Sequence, residues 1–212
     1  MIGRKLSVKR SNSGLSLLEL IIAIAIIAVL VGIATPLYIK HLNNSKKAKD
    51  LYTADRIATA AYVAFAVNTD AFDAFHKSKD LSATVSATVD GVTETYKVYL
   101  IAASEGPQYC FKGGVKNFGK SDGSTGFYGT LNEEMGLSTT KVNTQIIPKF
   151  KAQRSGTGPK SGYSYTKVDR WRICRRADND QLEVWVAQPH PYGGFPIYRL
   201  WPNPDDEYTK KK

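Results

Sequence analysis

The sequence predicts an α+β protein in which one long N-terminal α-helix precedes an antiparallel β-sheet. The helix is indicated by a long apolar stretch that continues into apolar residues at three- and four-residue spacing. The sheet is indicated by later segments of strand-like composition, separated by turn residues. With 212 residues, the chain has room for one ordinary globular domain after its N-terminal segment.

The composition is typical of a folded protein. Hydrophobic residues make up 42% of the chain and charged residues 23%, which is too apolar for a disordered chain. The net charge is +10, and four of the positive charges lie within the first ten residues. The remaining surplus indicates solubility and non-specific attraction to anionic surfaces. Three scattered histidines and two cysteines do not have the spacing of a zinc site, so no metal is expected.

The apolar segment runs from Leu15 to Ile39 and contains one ionisable residue, Glu19. About twenty apolar residues span the roughly 30 Å hydrocarbon core, and a single segment in lipid satisfies its backbone only as a helix. A plain membrane anchor and a secretory signal peptide cleaved near Ala34 are the alternatives. The apolar run is longer than a signal peptide needs, and a carboxylate inside it costs on the order of 3 kcal/mol, which marks a functional residue.

The segment around Gly14 resembles the type IV prepilin signature, because a short basic leader precedes Gly-Leu-Ser-Leu-Leu-Glu and an unbroken apolar run. The resemblance implies that a prepilin peptidase cuts after Gly14 and methylates the new N-terminus, Leu15. Glu19 is then the signature acid, and Pro36 stands where many type IV pilins have a proline. Ser13 stands directly before Gly14, where the prepilin signature usually has Lys or Arg. Leu15 and the leader length resemble subgroup IVb, whereas Pro36 resembles subgroup IVa, so the subgroup stays open.

The resemblance also implies partners and a location. The subunit would form a homopolymer with other pilin subunits, after contact with the prepilin peptidase and with a pilus assembly platform in the inner membrane. The precursor would lie in the bacterial inner membrane and the product in an extracellular pilus filament. In a growing fibre, the amine of one subunit would neutralise Glu19 of its neighbour, because an unpaired charge is costly in a surround of low dielectric constant.

We expect one helix from about Ser16 to about Val67, bent or locally opened near Gly32 and Pro36. Its C-terminal half is predicted to be amphipathic and to pack on the globular domain. The apolar face comprises Leu51, Ala54, Ile57, Ala58, Ala61, Tyr62 and Phe65, and the opposite face comprises Lys46, Lys47, Lys49, Asp50, Asp55 and Arg56.

Two hairpins and a fifth strand are predicted in the rest of the chain. The hairpins are Ala83–Val89 with Val92–Ala102, joined by Asp90-Gly91, and Arg170–Arg175 with Leu182–Gln188, joined by Ala177–Asp180; Phe195–Trp201 is the fifth strand. Two glycine- and serine-rich stretches, Gly113–Gly129 and Ser155–Gly162, are predicted to be exposed loops. A long helix on an antiparallel sheet is the pilin-like roll that the resemblance implies.

Cys110 and Cys174 are predicted to form a disulfide, because everything beyond the membrane should lie in an oxidising compartment. Closing a loop of roughly 65 residues contributes about 4 kcal/mol in the chain-entropy model. The resemblance points the same way, since pilins commonly close a C-terminal loop with a disulfide. A free, buried pair of cysteines is the alternative.

One stretch satisfies a nucleotide-binding pattern letter for letter: residues 114–121 read Gly-Val-Lys-Asn-Phe-Gly-Lys-Ser. A phosphate cradle also needs a helix directly after it, and Asp-Gly-Ser-Thr-Gly follows instead. We therefore expect no nucleotide and no other cofactor.

Two groups of oxygen-bearing side chains have the chemistry of calcium ligands, although neither has the spacing of a complete calcium-binding loop. They are Asp178, Asn179 and Asp180 in one turn, and Asn203, Asp205, Asp206 and Glu207 near the C-terminus. The alternative, which we favour at this stage, is that they are solvated turn residues.

Twelve tyrosines and the basic surplus raise the hypothesis of single-stranded DNA binding. Tyr96, Trp171 and Trp185 lie in strand patterns, however, and are predicted to pack in the core or on the sheet. Nucleic acid therefore stays a possible partner only.

The sequence thus predicts a structural protein and not an enzyme, since no catalytic constellation stands out. The expected segments are a leader (1–14), a transmembrane assembly half of the helix (15–36), an amphipathic half (37–67) and a globular sheet domain (68–212). The expected function is a type IV pilus subunit, major or minor. The alternatives are a pseudopilin of type II secretion and a membrane-anchored protein that binds DNA or glycan.

Overall fold

The structure is a computed structural model that describes residues 16–70, 82–104, 118, 126–137, 146–150, 168, 170–188 and 195–210. Its elements in chain order are α1 (Leu17–Val67), β1 (Ser82–Val89), β2 (Val92–Ser104), α2 (Gly126–Glu134), β3 (Arg170–Arg176), β4 (Leu182–Ala187), β5 (Pro196–Trp201) and α3 (Asp206–Thr209). One long helix and five antiparallel strands confirm the predicted α+β class. The predicted loop Ser155–Gly162 lies outside the described residues.

The chain divides into two compact units, Met1–Leu42 and Asn43–Lys212. Helix α1 begins in the first unit and ends in the second. It passes Gly32 and Pro36 without interruption, so the local opening predicted there is absent from this helix. Proline removes only its own N–H from the ladder, and the neighbouring hydrogen bonds of the helix remain.

The sheet has the order β1-β2-β3-β4-β5, and every neighbouring pair is antiparallel. Asp90 and Gly91 form the β1–β2 turn with φ angles of 51° and 81°. Positive φ at both positions is what a two-residue turn requires when its twist matches the flanking strands. Strand β1 also contacts β5. The sheet therefore curls toward closure, as a barrel does.

The main core lies between the sheet and the second half of α1. The helix contributes small buried residues, which allow close approach of its backbone to the sheet, together with Ile57 and Phe65. The sheet contributes Trp171 and Ile173 of β3 and their neighbours on the same face of β4 and β5. The apolar face of α1 is confirmed except at Tyr62, which is half exposed and makes an edge contact with Trp201.

Helix α2 was not predicted. Its residues Gly126 to Gly129 belong to the stretch expected to be an exposed loop, and that expectation is wrong for this part. Phe127 and Leu131 are buried in the main core, and Phe127 packs against Phe65 of α1 with ring centroids 4.5 Å apart. The apolar residues of this short helix are too few to outweigh glycine and serine in a sequence pattern.

A second core lies on the opposite face of the sheet, inside its curl. It comprises Ala83, Val85 and Ala87 of β1, Val98 and Leu100 of β2, Cys174 of β3 and Trp185 of β4. Every residue of β4 is buried, so this strand is covered on both faces. The predicted core roles of Trp171 and Trp185 are confirmed, and Tyr96 packs against Trp185 at a centroid distance of 6.4 Å.

One ion pair is buried in the second core. Glu183 is fully buried, and its Oε1 accepts hydrogen bonds from Arg199 Nη1 (3.1 Å) and Tyr96 Oη (2.8 Å). Its Oε2 accepts a hydrogen bond from Trp185 Nε1 at 2.7 Å. Burial and the adjacent Glu183 carboxylate raise the pKa of Tyr96 above its usual range, which keeps the phenol as a donor. A buried charge is tolerated when it is paired and hydrogen-bonded in this way.

Two residues of α1 depart from the predicted polar face. Lys47 and Asp50 were expected in solvent, but their exposed fractions are 5% and 1%. Asp50 accepts hydrogen bonds from the backbone N–H groups of Lys149 (2.7 Å) and Phe150 (2.8 Å). Lys47 donates to the carbonyl of Glu207 and lies 4.7 Å from the centre of the Phe150 ring. The partners lie about 100 or more positions away, so a local pattern cannot reveal them.

Asp50→Ala should lower the free energy of unfolding by about 3 kcal/mol, because the N–H groups of Lys149 and Phe150 lose a buried, charged acceptor. Urea unfolding of the full chain in detergent, followed by tryptophan fluorescence, measures this change. Asp55→Ala is the matched control, since Asp55 is an exposed aspartate of the same helix. Equal stability of the two variants would contradict the assignment of Asp50 as an internal tether.

Candidate functional site

The N-terminus of α1 is closed by a reciprocal pair of hydrogen bonds. Ser16 Oγ accepts from the backbone N–H of Leu18 at 3.3 Å, and Glu19 Oε2 accepts from the backbone N–H of Ser16 at 3.0 Å. This arrangement is a form of the capping box, in which a serine and a glutamate three residues later satisfy free donors of the first turn. The sequence signal, Ser-x-x-Glu, is present but was not used in the prediction.

The capping box explains how a carboxylate is accommodated at the start of an apolar helix. Glu19 lies in the first turn, where the helix dipole favours negative charge. Only its Oε2 is engaged, and Oε1 has no partner within the described part of the chain. The geometry therefore leaves one carboxylate oxygen available to a donor from outside the described residues.

The first unit exposes its apolar side chains. All side chains from Ser16 to Leu42 are exposed, and the large apolar ones have exposed fractions between 40% and 77%. By length and composition α1 can cross a membrane, and none of its most apolar window is buried. The core helix of a soluble protein can pass the same test of composition, but it would be buried. Such a surface needs lipid or other apolar helices around it.

Gly32 and Pro36 lie within this exposed stretch. A Cβ atom added to Gly32 would meet none of the described residues within 4 Å, so no contact with them requires glycine there. The hydroxyl of Thr35, beside Pro36, donates to the carbonyl of Val31 at 2.6 Å. The predicted processing residues Gly14 and Leu15 lie outside the described residues, so their roles stay predictions.

Cys174 is fully buried in the second core as a free thiol, and Cys110 lies outside the described residues. Burial and the nearby Glu183 carboxylate raise the pKa of the Cys174 thiol well above its usual value. The thiol is therefore protonated and protected from reagents at neutral pH. The disulfide between Cys110 and Cys174 stays a prediction.

Two of the C-terminal carboxylates are held by hydrogen bonds from backbone N–H groups. In residues 202–210, here called the C-terminal strap, Asp205 is buried and accepts from the N–H of Thr88 at 3.0 Å. Asp206 accepts from the N–H groups of Asp90 (3.0 Å) and Gly91 (2.9 Å) in the β1–β2 turn. The solvated-turn interpretation is thus wrong for these two residues. Their partners lie more than 110 positions earlier in the chain.

The strap also reaches α1. Lys47 donates to the carbonyls of Glu207 and, at 3.3 Å, Lys210. Lys210 in turn forms an ion pair with Asp206, with 2.5 Å between Nζ and Oδ2. This pairing lowers the pKa of Asp206. Lys210 is exposed, and Lys211 and Lys212 lie outside the described residues.

The second group of oxygen ligands is engaged by arginines. Asp178 accepts from Arg176 through both oxygens, at 2.9 and 2.7 Å, and this pairing lowers the pKa of Asp178. Asp180 pairs with Arg175 at 2.7 Å. Among the described residues, no three carboxylate, histidine or cysteine side chains are grouped so that they could hold a metal ion.

The nucleotide-binding pattern at 114–121 lies outside the described residues except for Phe118, which is buried. Of the aromatics considered for nucleic acid, Tyr198 and Tyr208 are buried in the main core. Burial raises the pKa of Tyr208 well above its usual value. These two rings therefore serve packing and are not available for stacking on bases.

The fold and the N-terminal site together define a membrane-anchored α+β protein whose exposed apolar helix begins with a capped carboxylate. Residues 9–35 match the family model described as the prokaryotic N-terminal methylation motif. This motif is the prepilin-type leader of type IV pilins and pseudopilins, and the chain carries it. No curated protein and no solved structure matches the chain.

The motif indicates a structural pilin-like subunit rather than an enzyme, made as a membrane-anchored precursor. It implies processing by a prepilin peptidase and assembly into a pilin-type polymer. The matched residues end before the globular unit begins, so the motif covers neither the sheet nor the strap nor the second core.

Cys174 is a free thiol in the structure, but if it pairs with Cys110 as the sequence predicts, chain isolated from an oxidising compartment should contain no free thiol. Alkylation in denaturant without reductant is expected to add no label, and alkylation after reduction should add two. Denaturant is needed because Cys174 is sealed in the second core. Cys110→Ser is the control and should show one label without reductant. Two labels on the unreduced native sequence would exclude the disulfide.

Proposed function

We propose that the chain is a structural subunit of a type IV pilus. A prepilin peptidase cleaves it after Gly14 and methylates Leu15, and α1 holds it in the inner membrane until assembly. The subunits then polymerise through the apolar stretch of α1 into an extracellular filament. The observation that carries this proposal is the capped Glu19 at the head of an apolar helix whose most apolar stretch is covered by none of the described residues.

The exposed stretch supports polymerisation for a physical reason. In the membrane, lipid covers the apolar side chains from Leu17 to Ile39. Outside the membrane the same surface would be exposed to water. This exposure costs a free energy of about 25 cal/mol for each Å² of apolar area. A bundle of identical helices provides the cover that lipid provided before. No described residue would meet a Cβ atom at Gly32, which leaves this position free for close approach of a neighbouring helix.

Glu19 then has two successive partners. In the described chain its Oε2 accepts from the N–H of Ser16. Cleavage after Gly14 would create a cationic amine on Leu15, and in the fibre the amine of an adjacent subunit would approach the unengaged Oε1. Pairing is strong in a helix bundle that excludes water, and an unpaired charge there is costly. The ion pair would fix the depth at which each subunit joins the fibre.

A pseudopilin of type II secretion is the nearest alternative, because the methylation motif is common to both groups. The predicted disulfide and the larger globular domain favour a pilin. An anchored protein that binds DNA or glycan would use the same helix as an anchor only. Electron microscopy of fibres sheared from cells separates these functions, since only a major pilin accounts for most of the fibre mass.

The mature protein should begin at Leu15 and carry one methyl group. Intact-mass measurement of chain purified from cells that contain a prepilin peptidase tests this directly. Gly14→Val should block cleavage, because a β-branched residue replaces the glycine at the cut. Gly32→Ala is the matched control and should be processed normally. A mature protein that retains Met1, or one that starts near Thr35, would contradict the proposal.

Glu19→Gln should leave the subunit in the membrane but reduce the yield of sheared fibre at least tenfold, since about 1.4 kcal/mol of lost pairing per subunit suffices. Quantitative immunoblots of membrane and fibre fractions measure both effects. Glu133→Gln, an exposed glutamate of α2, is the control. Ser16→Ala should have a smaller effect, because it removes one capping bond worth about 1 kcal/mol. Normal fibre yield from Glu19→Gln would refute the pairing.

A further inference from the structure

The open end of the curled sheet contains a cavity of about 310 Å³. It lies where the β1–β2 turn, the β3–β4 turn and the C-terminal strap come together. This volume is at the lower end of the range for small-molecule sites, and the mouths of barrel-like sheets are a preferred place for them. The cavity belongs entirely to the second unit and does not involve the helix segment proposed for assembly.

Arg199 forms a rigid polar wall of the cavity. Its exposed fraction is 6%, and its guanidinium is fixed by Nη1 contacts to Glu183 and Tyr96 and by an Nε bond to the carbonyl of Asn203 at 3.2 Å. Nη2 has no hydrogen-bond partner in the described part of the chain. It is not fully buried either, so a small molecule can reach it. A donor held in place on three sides is therefore available to a ligand.

Further polar groups converge on the same space. The side-chain amides of Gln181 and Asn203 line the cavity and have no hydrogen-bond partner within the described ranges. Each amide offers both donors and an acceptor. Glu94 contributes a carboxylate of which only Oε2 is engaged, at 3.4 Å from Arg176. The remaining wall is apolar and consists of Ala87, Val89 and Val92.

The charges of the cavity are already compensated. Arg199 is paired with Glu183, and Arg176 is paired with Asp178 and Glu94. An anionic ligand would therefore gain little from either guanidinium. A ligand with several hydroxyl groups gains more, because each hydroxyl both donates and accepts and so matches amides, a carboxylate oxygen and a free N–H.

We propose that this cavity binds one neutral saccharide residue. Its hydroxyl groups bond to Arg199 Nη2, the two amides and Glu94, and its C–H face packs on the small apolar wall. The site accepts a free sugar or the terminal residue of a glycan, since both present the same ring. The proposal does not depend on fibre assembly, because the cavity lies within one subunit.

Saturation-transfer NMR on the full chain tests the site, in a detergent without a sugar headgroup. The probes are glucose, galactose, mannose and N-acetylglucosamine, with glucuronate as the anionic comparison. At least one neutral sugar should bind with a millimolar dissociation constant and more tightly than glucuronate. Absence of transfer to every neutral sugar, or tighter binding of glucuronate, overturns the proposal. Methyl glycosides distinguish the two sources, since a terminal glycan residue binds as its glycoside.

Two variants remove the rim amides without disturbing the fold. Asn203→Gly preserves the positive φ of 51° that the backbone adopts there, and Gln181→Ala changes an exposed side chain. Each should weaken binding about tenfold while leaving the melting temperature unchanged. Glu133→Ala should bind like the native sequence. Unchanged affinity in both amide variants places the sugar elsewhere and refutes the site. Arg199 variants are not used, because they would leave Glu183 buried without its cation.

Discussion

The apolar half of α1 has no cover among the residues that the structure describes, and this single constraint governs the rest of the molecule. A helix with this composition is stable in lipid or among other apolar helices, and not alone in water. The two halves of α1 differ in how they meet this constraint. The side chains from Ser16 to Leu42 are all exposed, whereas the continuation of the same helix is buried against the sheet from Ala54 to Phe65. One secondary-structure element thus serves two environments.

The globular unit meets the opposite requirement, which is to bury a two-sided sheet. Small residues of α1 cover one face, and the curl that brings β1 to β5 covers the other. Enclosing the second face traps polar groups, and each trapped charge has a partner. Glu183 receives three hydrogen bonds, from Arg199, Tyr96 and Trp185. The curl also leaves its open end lined with polar groups, and this is where the proposed saccharide site lies.

The sequence predicted the fold well where the signal is local. Asp90-Gly91 predicted the first hairpin because positive φ at two consecutive positions restricts the residues allowed there. The five strands differ from their predicted ends by at most two residues. The start of α1 was predicted near Ser16 from the apolar run and lies at Leu17, although its capping box was overlooked. Glu19 was singled out because a lone carboxylate in an apolar helix is conspicuous.

Prediction failed where the partner of a residue is remote in sequence. Lys47 and Asp50 look like surface charges in any local window, yet both are buried by segments about 100 or more positions away. Asp205 and Asp206 resemble solvated turn residues or calcium ligands for the same reason, while their real partners are amides of β1 and its turn. Helix α2 was missed because its two buried apolar residues, Phe127 and Leu131, are too few to form a recognisable helical repeat in the sequence.

In the C-terminal strap, carboxylates organise loops by accepting hydrogen bonds from backbone N–H groups and by pairing with a lysine. Backbone N–H groups and Lys210 supply the positive partial charges that a cation would otherwise supply. The pKa of Asp206 is lowered in the folded state, so its stabilising contribution is complete above the ordinary aspartate value of 3.8 and is lost only as the pH falls through the lower folded value. The strap therefore ties the β1–β2 turn to α1 across neutral and mildly acidic conditions.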